Sequence, residues 1–532
     1  FSLLSLGSIL FFLFRLNYTE VVDYSDIAQF IYSQIIIGLL LLAFLMIGDK
    51  IFRIPDRKPR SLWLQLLLIL AILCFSMTWI FFHHQNDTYA MVIGEYSTIW
   101  RIQSEPYRLD YFPDRMQDLK KLDPGTFSFH QMPQLPKYQI PEDFPSQKPP
   151  IFIVLWDAGR SDHFSCYGYS KRTTPPRKTT PNVDRFAQDA VVFENAYSQA
   201  TATTTGMRHL LIGKYTTRYM LDQENVNPFW LHKLIPLGYE NFLVNALGSF
   251  YNGVPREAYT LKMPDYLKQK LHYFPIEGSE EDRVKNLFKV IDQNHLQNGF
   301  FSLLHYISTH LPWENHSEAT YYGEGYMDKY DNSINYLDLL FGKFIEGLKQ
   351  RNLYDKAIII LLADHGTGLN DHGRWGSFLP YQEQIRVPLI MKIPGVPPQR
   401  IQEMVGLIDV GPTLLNLFHQ EIPNSYDGLS LLPLLEGKMT TLPRDYLFNV
   451  CSFEDAYTLI ERQKWKCVVH RRRQYWKLYD LEKDPHELRN LASERPEMIQ
   501  HFRDIFKQYF SNGLFSYSNP YHYRAWSYLE NH

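Results

Sequence analysis

Two apolar runs in this chain each end at an aspartate. Residues 357–362 are apolar and lead, through one alanine, to Asp364 and His365, and residues 151–156 lead directly to Asp157. Buried strands of an α/β sheet present their functional side chains at their carboxyl ends. Two carboxylates and one imidazole are suitable ligands for a divalent cation. The pattern therefore predicts one metal site supplied by two strand ends.

The chain from residue 151 onward alternates short apolar runs with stretches of helical periodicity. Apolar residues at helical spacing predict helices over 331–349 and 405–418. After about residue 445 the pattern changes to short strands and turns, followed by a helix near 496–510. The fold class predicted from this order is α/β, with a doubly wound sheet and a small C-terminal α+β subdomain. The predicted sheet strands are 151–156, 241–245, 299–304, 357–362 and 387–392.

The N-terminal 82 residues have the composition of a membrane region. Residues 27–48 and 62–82 are apolar runs of about 20 residues, the length of a membrane-spanning helix, and residues 1–16 form a shorter third run. The loop 49–61 carries five basic residues, which the positive-inside rule places in the cytoplasm. This predicts a multi-pass protein of the cell membrane whose later domains lie outside the cytoplasm, periplasmic or extracellular.

Residues 83–150 are rich in proline and poor in periodicity, which predicts an extended connector. The predicted organisation is a transmembrane region over 1–82, this connector, a catalytic domain over 151–444, and a C-terminal subdomain and tail over 445–532. Cys451 and Cys467 could pair in an oxidising compartment or remain two free buried thiols. The net charge of −3 and the lack of a basic stripe argue against a nucleic-acid partner.

A metal site for ester chemistry also needs a nucleophile and a proton donor. The segment 201–205 supplies four threonine hydroxyls just before a predicted helix, although such a run is also common in a plain helix cap. His310 follows the 299–304 strand and His372 follows Asp364 by eight residues. Either histidine could be structural. If both lie near the metal, they are candidates for binding the transferred anion or protonating a leaving group.

Several blocks of the chain resemble the sulfatase-like branch of the alkaline phosphatase superfamily. They extend from about residue 151 to about residue 492, and together they are specific. The resemblance implies a sulfatase-like α/β domain, a hydrolase or transferase activity on sulfate or phosphate esters, and one divalent metal ion. The matching blocks are TPNVDRFA at 180–187, VFENAYS at 192–198, YDNSI at 330–334, DHG at 364–366 and LYDLEKDP at 478–485.

The departures from the sulfatase pattern narrow the expected chemistry. Sulfatases place a cysteine or serine, converted to formylglycine, where this chain has Thr203, so no formylglycine is expected. Thr203 resembles the threonine nucleophile of lipoteichoic acid synthases and lipid A phosphoethanolamine transferases, with Thr204 as the alternative. The lysine and histidine that grip sulfate in the family correspond here to Ala246 and Gly248, and a later lysine corresponds to Ser377. An anion pocket without those cations would bind sulfate weakly.

The resemblance assigns the site residues as follows. The metal ligands are Asp157, Thr203, Asp364 and His365, the catalytic residues are Thr203, His310 and His372, and the substrate contacts are Arg208, Thr204 and Asn245. Arg208 lies one place away from the arginine of the family motif. The expected metal is zinc or manganese on the transferase resemblance and calcium on the sulfatase resemblance, and the ligand types also allow magnesium.

Three functional hypotheses follow. The first is a membrane-anchored transferase or phosphodiesterase that forms a phospho-threonine on Thr203, with membrane lipids or envelope glycans as substrates. The second is a hydrolase of sulfate or phosphate esters without formylglycine. The third is a non-catalytic, sulfatase-like membrane sensor.

Overall fold

The computed structural model describes residues 143–514, apart from 216–229, 245–268, 271, 374, 378, 425, 452–455 and 471–474. The predicted membrane spans and most of the connector lie outside the described residues. Within the described part of the chain, no helix is both long enough and apolar enough to cross a membrane. The membrane topology and the domain boundaries stay predictions.

One sheet forms the centre of the described fold. Its strands are β1 Ile151–Trp156, β2 Val191–Tyr197, β3 Asn241–Val244, β4 His272–Pro275, β5 Phe300–Tyr306, β6 Ile358–Leu362, β9 Leu389–Lys392 and β10 Gln399–Gly406; a separate small hairpin consists of β7 Gly368–Leu369 and β8 Trp375–Gly376. The order of the strands in the large sheet is β10-β2-β9-β6-β1-β5-β3-β4. β1 pairs in parallel with β5 and β6, and only β9 runs against its neighbours in this sheet.

Helices cover both faces of this sheet. Successive side chains of β1 alternate between two apolar cores, as the period of a strand requires, and all six are buried. The helices are α1 Phe144–Gln147, α2 Pro181–Phe186, α3 Thr203–Ile212, α4 Glu280–Gln293, α5 Tyr326–Gln350, α6 Gln382–Ile385, α7 Val410–Leu417, α8 Leu432–Leu435 and α9 Pro496–Leu514. Buried residues of α3 and α7 belong to the first core, and those of α4 and α5 belong to the second.

The predicted α/β architecture with a large, mostly parallel sheet is confirmed. All five predicted sheet strands are present, with shifts of one or two residues at their ends. The helix predicted over 405–418 is wrong in its first turn. Val405 and Gly406 belong instead to β10, where they pair with Ala196 and Tyr197 of β2, and α7 begins at Val410 after a short 3-10 turn.

The C-terminal part contains the strands and the helix that the sequence predicts there. Four antiparallel strands, β11 Tyr446–Cys451, β12 Ala456–Glu461, β13 Trp465–His470 and β14 Tyr475–Asp480, form a sheet in chain order, and α9 follows. Cys451 and Cys467 are both buried, and no disulfide joins them. They lie on β11 and β13 with β12 between them, which explains why they do not pair across neighbouring strands.

A buried ion pair joins the start of α7 to the entrance of the C-terminal sheet. The guanidinium of Arg444 donates to both carboxylate oxygens of Asp409 at 2.6 and 2.5 Å, and both side chains are fully buried. Asp409 also accepts from the backbone N–H groups of Gly406 and Leu429, each at 2.7 Å. In this bidentate pair each buried charge compensates the other, whereas one member alone would be left uncompensated.

Arg444→Met should therefore lower the free energy of unfolding by about 3–5 kcal/mol, because it leaves the Asp409 carboxylate buried and uncompensated. Denaturant unfolding measures the change. The matched control is Arg462→Met, which breaks an exposed pair with Asp445 and should cost less than about 1 kcal/mol. Equal losses in the two variants would contradict this account of the buried pair.

Candidate active site

Asp157, Asp364 and His365 meet at the carboxyl edge of the sheet. Asp157 directly follows β1, and Asp364 follows the neighbouring parallel strand β6 by two residues. One ligand atom from each of the three lies within 4.8 Å of the others, and all three side chains are buried. The geometry of adjacent parallel strands thus brings the three residues together, as the sequence pattern predicts.

Backbone N–H groups bind one of the two oxygens of the Asp364 carboxylate. Its Oδ1 atom accepts from the N–H of Ala158 at 3.2 Å and from the N–H of His365 at 3.0 Å. The backbone of Ala158 is in the left-handed region, at φ 59°, and in this conformation its N–H donates to Asp364. The other atom, Asp364 Oδ2, is buried without a hydrogen-bond partner. A buried carboxylate oxygen in this state is costly unless a cation binds it, so the site fits a metal ion.

The tautomer of His365 also fits a metal ion. Its Nδ1 atom lies 2.7 Å from the carbonyl oxygen of Gly366. Because a carbonyl oxygen can only accept, Nδ1 carries the proton in the neutral ring, which leaves a lone pair on Nε2. Nε2 lies 3.1 Å from Thr203 Oγ1 and 3.5 Å from Asp157 Oδ1. The lone pair is therefore on the nitrogen that faces the other candidate ligands.

Thr203 completes the set of donors. It is the first residue of α3, and its Oγ1 atom lies 3.3 and 3.2 Å from the two oxygens of Asp157. A helix start favours a developing negative charge on such an oxygen. The close approach of α3 depends on Gly206, where an added Cβ would lie 2.7 Å from the backbone oxygen of Asp364.

His305 belongs to the site, and the sequence reasoning missed it. It is the second-last residue of β5 and is 1% exposed. Its Nε2 atom lies 3.0 Å from Asp157 Oδ2. The histidine lies inside an apolar run rather than beyond its end. A polar side chain within a fully buried strand was the available signal.

The two carboxylates of the site have opposite pKa shifts. Burial alone would raise the pKa of Asp157, but the hydrogen bond from His305 and the nearby histidine charges hold it below its ordinary value. Burial and the negative charge of Asp157 raise the pKa of Asp364. Two buried carboxylates this close need added positive charge if both are to stay ionised.

The structure couples His310 electrostatically to the site. Its positive charge contributes to the lowered pKa of Asp157, and its Nδ1 atom lies 2.7 Å from the carbonyl oxygen of Leu311. The loop before it is held by Glu280 of α4, which accepts from the backbone N–H groups of Ile307 and Ser308. His310 follows Thr309, whose hydroxyl donates to the carbonyl oxygen of Asp157 at 2.6 Å. The predicted role of His310 as a proton donor stays a prediction.

His372 contacts Glu383, His486 and Tyr381. Its Nδ1 atom lies 2.8 Å from Glu383 Oε1, its Nε2 atom lies 3.0 Å from the carbonyl oxygen of His486, and its ring stacks on Tyr381. Two acceptors, one at each nitrogen, favour the doubly protonated ring. The predicted catalytic role of His372 stays a prediction, and its contacts describe a link between α6 and the turn after β14.

The predicted substrate-binding residues are only partly described. Arg208 is half-buried on α3, five residues after Thr203, which at 3.6 residues per turn is about 140° around the helix. Its side chain therefore starts from a different face of α3. Thr204 is the second residue of α3, and its side chain lies outside the described part, as does all of Asn245.

Arg160 is a second buried residue that the sequence reasoning missed. Its guanidinium donates to Asp162 at 2.9 Å, to Asp371 at 2.8 Å and to the carbonyl oxygen of Thr367 at 3.2 Å. It thereby ties the loop after β1 to the loop after β6. Tyr330 of α5 supports the same turn, because its hydroxyl accepts from the Arg160 N–H and donates to the Ala158 carbonyl oxygen.

Asp364→Asn should release the bound metal, because an amide lacks the charge that balances a divalent cation. Metal content after chelation, reloading and gel filtration measures this. Asp355→Asn is the matched control, since that carboxylate is 90% exposed. An unchanged metal stoichiometry in Asp364→Asn would contradict the assignment of this residue as a ligand.

His372→Gln should destabilise the protein most at acidic pH. Burial alone would lower the pKa of His372, but the hydrogen bond and charge of Glu383 raise it above 6.5. A raised folded-state pKa adds stability that is fully present below about pH 6.5 and is lost as the pH rises through the folded value.

The free energy of unfolding, measured against pH, should therefore show the gap between wild type and His372→Gln narrowing as the pH rises. His501→Gln is the control, because it breaks a more exposed pair with Glu461 and should cost less than about 1 kcal/mol. A gap that widens with pH would rule out this role of the His372 charge.

Comparison with known families agrees with this geometry. The family described as Sulfatase matches residues 149–420, and the family described as N-sulphoglucosamine sulphohydrolase, C-terminal, matches residues 370–510. An arylsulfatase of Clostridium perfringens is 34% identical over 197 residues, which cover 36% of this chain and 39% of that protein. A choline-sulfatase of Rhizobium meliloti is 32% identical over 166 residues, which cover 31% of this chain and 32% of that protein. The matched part is thus well under half the length of either relative.

Solved structures share the fold at low sequence identity. A 2-O GAG sulfatase has a TM-score of 0.54 at 17% identity, covering 69% of this chain and 92% of that chain. The phosphonate monoester hydrolase of Agrobacterium radiobacter has a TM-score of 0.53 at 16% identity, covering 68% and 96%. The Sulfatase match spans more than half of the sequence and contains the strands, the helix and the loops that carry the site. The chain belongs to the sulfatase family.

Proposed function

We propose that this protein is a metal-dependent hydrolase of sulfate esters that uses the hydroxyl of Thr203 as its nucleophile. The observation that carries the proposal is the position of Thr203 Oγ1, 3.1 Å from His365 Nε2 and 3.2 Å from Asp157 Oδ2. The names of the relatives support sulfate esters as the substrate class.

Each residue of the site has a proposed role in this reaction. Asp157, Thr203, Asp364 and His365 would hold one divalent cation, which would polarise the bound ester and lower the pKa of the threonine hydroxyl. The donors are three oxygens and one imidazole, a set that zinc, manganese, magnesium or calcium accepts. Thr203 lies at the start of α3, which favours negative charge on its oxygen.

The reaction then needs two displacements at sulfur. In the first, a bond forms between Thr203 Oγ and sulfur while the bond from sulfur to the alcohol oxygen breaks. The threonine proton passes to solvent, and His310 is proposed to protonate the departing alcohol. In the second, a water oxygen attacks sulfur, the bond to Oγ breaks, and the products are hydrogen sulfate and free Thr203.

Phosphoryl transfer is the second candidate, and Thr203 itself favours it. A threonine hydroxyl cannot form the aldehyde hydrate of formylglycine, and it resembles the nucleophile of the membrane phosphotransferases named above. The same two displacements at phosphorus would pass through a phospho-threonine, which a lipid, a glycan or water could discharge.

The setting of the reaction is also a proposal. The apolar runs within 1–82 support a membrane anchor with the catalytic domain outside the cytoplasm. Envelope glycans are the proposed substrates in that setting, and the solved GAG sulfatase with this fold is consistent with them. Membrane lipids are the corresponding donors if the reaction is phosphoryl transfer.

Thr203→Ala should lower kcat by at least about 10³-fold on an aryl sulfate or on an aryl phosphate, because it removes the nucleophile. Thr203→Ser retains the hydroxyl and should retain measurable turnover. Thr441→Ala, at an exposed position outside the site, is the matched control and should equal wild type. The ratio of the two aryl-ester activities in wild type decides between the two candidate functions.

Mass spectrometry of the peptide containing residues 201–205, after rapid quenching, tests the covalent step directly. A sulfate or phosphate adduct on Thr203 supports the proposal and identifies the transferred group. Full activity of Thr203→Ala, together with loss of activity in Thr204→Ala, would move the nucleophile to Thr204 and refute the assignment.

A further inference from the structure

His305 touches the site, yet the reaction proposed above gives it no role. It lies in the interior of the sheet, with its backbone opposite Leu155 of β1. Its side chain is 1% exposed, so it cannot serve as a surface contact for substrate. Its Nε2 atom is 3.0 Å from Asp157 Oδ2. Because a carboxylate can only accept, this nitrogen carries the proton and donates it to Asp157.

The segment that contains His305 holds Asp157 at three points. The Asp157 N–H donates to the carbonyl oxygen of Tyr306 at 2.8 Å. The hydroxyl of Thr309 donates to the carbonyl oxygen of Asp157 at 2.6 Å. His305 adds the contact to the side chain. Residues 305–309 therefore fix both the backbone and the carboxylate of this one aspartate.

Helix α4 fixes that segment in turn. Arg283 Nη1 donates to the carbonyl oxygen of His305 at 2.8 Å, and the Arg283 side chain is buried. Glu280 accepts from the N–H of Ser308 at 3.1 Å and also from the N–H of Ile307. These contacts hold the backbone that carries the His305 imidazole. The hydrogen bond from His305 can therefore set the rotation of the Asp157 carboxylate.

We propose that His305 is a positioning residue that engages Asp157 Oδ2 and so presents Oδ1 to the divalent cation. Oδ1 lies 3.5 Å from His365 Nε2 and carries no bond from His305, whereas Thr203 Oγ1 lies at nearly the same distance from both oxygens, 3.3 Å from Oδ1 and 3.2 Å from Oδ2. Residues that hydrogen-bond to metal ligands commonly contribute 10–100-fold to metal affinity. This inference rests on the metal site of the proposed function, and it assigns His305 to the binding of the metal.

The test is the Zn²⁺ affinity of chelator-treated protein, measured by calorimetric titration. His305→Leu removes the donor and should weaken the Zn²⁺ Kd by about 10–100-fold. His305→Gln keeps an N–H donor at a similar reach and should stay close to wild type. His470→Gln, a fully buried histidine on β13, is the matched control and should leave the Kd unchanged.

Three results would overturn the inference. One is a wild-type Kd in His305→Leu, and another is an equal loss in the Gln and Leu variants, which would indicate a direct ligand or simple packing. If His305→Leu fails to fold, His305→Asn replaces it, since its shorter amide cannot reach Oδ2. In that case, the third result that would overturn the inference is an equal Zn²⁺ Kd in His305→Asn and His305→Gln.

This readout separates the inference from the proposed reaction. Wild type that binds Zn²⁺ but turns over neither aryl ester would refute the proposed function, while the order of the His305 variants would still support or overturn the positioning role. Wild type that binds no divalent cation would overturn both.

Discussion

The structure depends on two buried carboxylates that lie side by side. Asp157 and Asp364 end neighbouring parallel strands, so the sheet itself forces them together. Neither is exposed, and burial together with the negative charge of Asp157 raises the pKa of Asp364. A fold that brings two such groups into its interior needs a compensating cation or a shared proton. The apolar cores on the two faces of the sheet fix the positions of the strands, so neither carboxylate can move into solvent.

The surrounding residues stabilise the two buried carboxylates. Backbone N–H groups satisfy one oxygen of Asp364, His305 satisfies one oxygen of Asp157, and the remaining oxygens lie toward His365 and Thr203. Gly206 permits α3 to approach, and Gly366 permits α6 to approach, because an added Cβ on Gly366 would collide with the Glu383 backbone. Arg160 holds together the two loops that carry the carboxylates. The sheet therefore determines the site, because it brings the candidate ligand atoms close to one another.

The sequence predicted the centre of this site better than its surroundings. Asp157, Asp364 and His365 could be found because buried apolar runs mark parallel strands, whose ends share one edge of the sheet. Thr203 depended on a family resemblance, since a run of threonines before a helix is ambiguous alone. His305 and Arg160 were missed because their roles come from contacts between distant segments, which periodicity does not reveal. The contacts of His372 also join distant segments, α6 and the turn after β14, so its spacing after Asp364 could not predict them.

The central claim is that Thr203 belongs to the same metal site as Asp157, Asp364 and His365. The most direct measurement is an anomalous difference map from crystals grown with Zn²⁺ or Mn²⁺ and collected at the metal absorption edge. The account predicts one peak at about 2.0–2.2 Å from His365 Nε2, from one oxygen of each aspartate and from Thr203 Oγ1. A peak bound by the aspartates and histidine with Thr203 turned away, or a peak elsewhere in the protein, would contradict it.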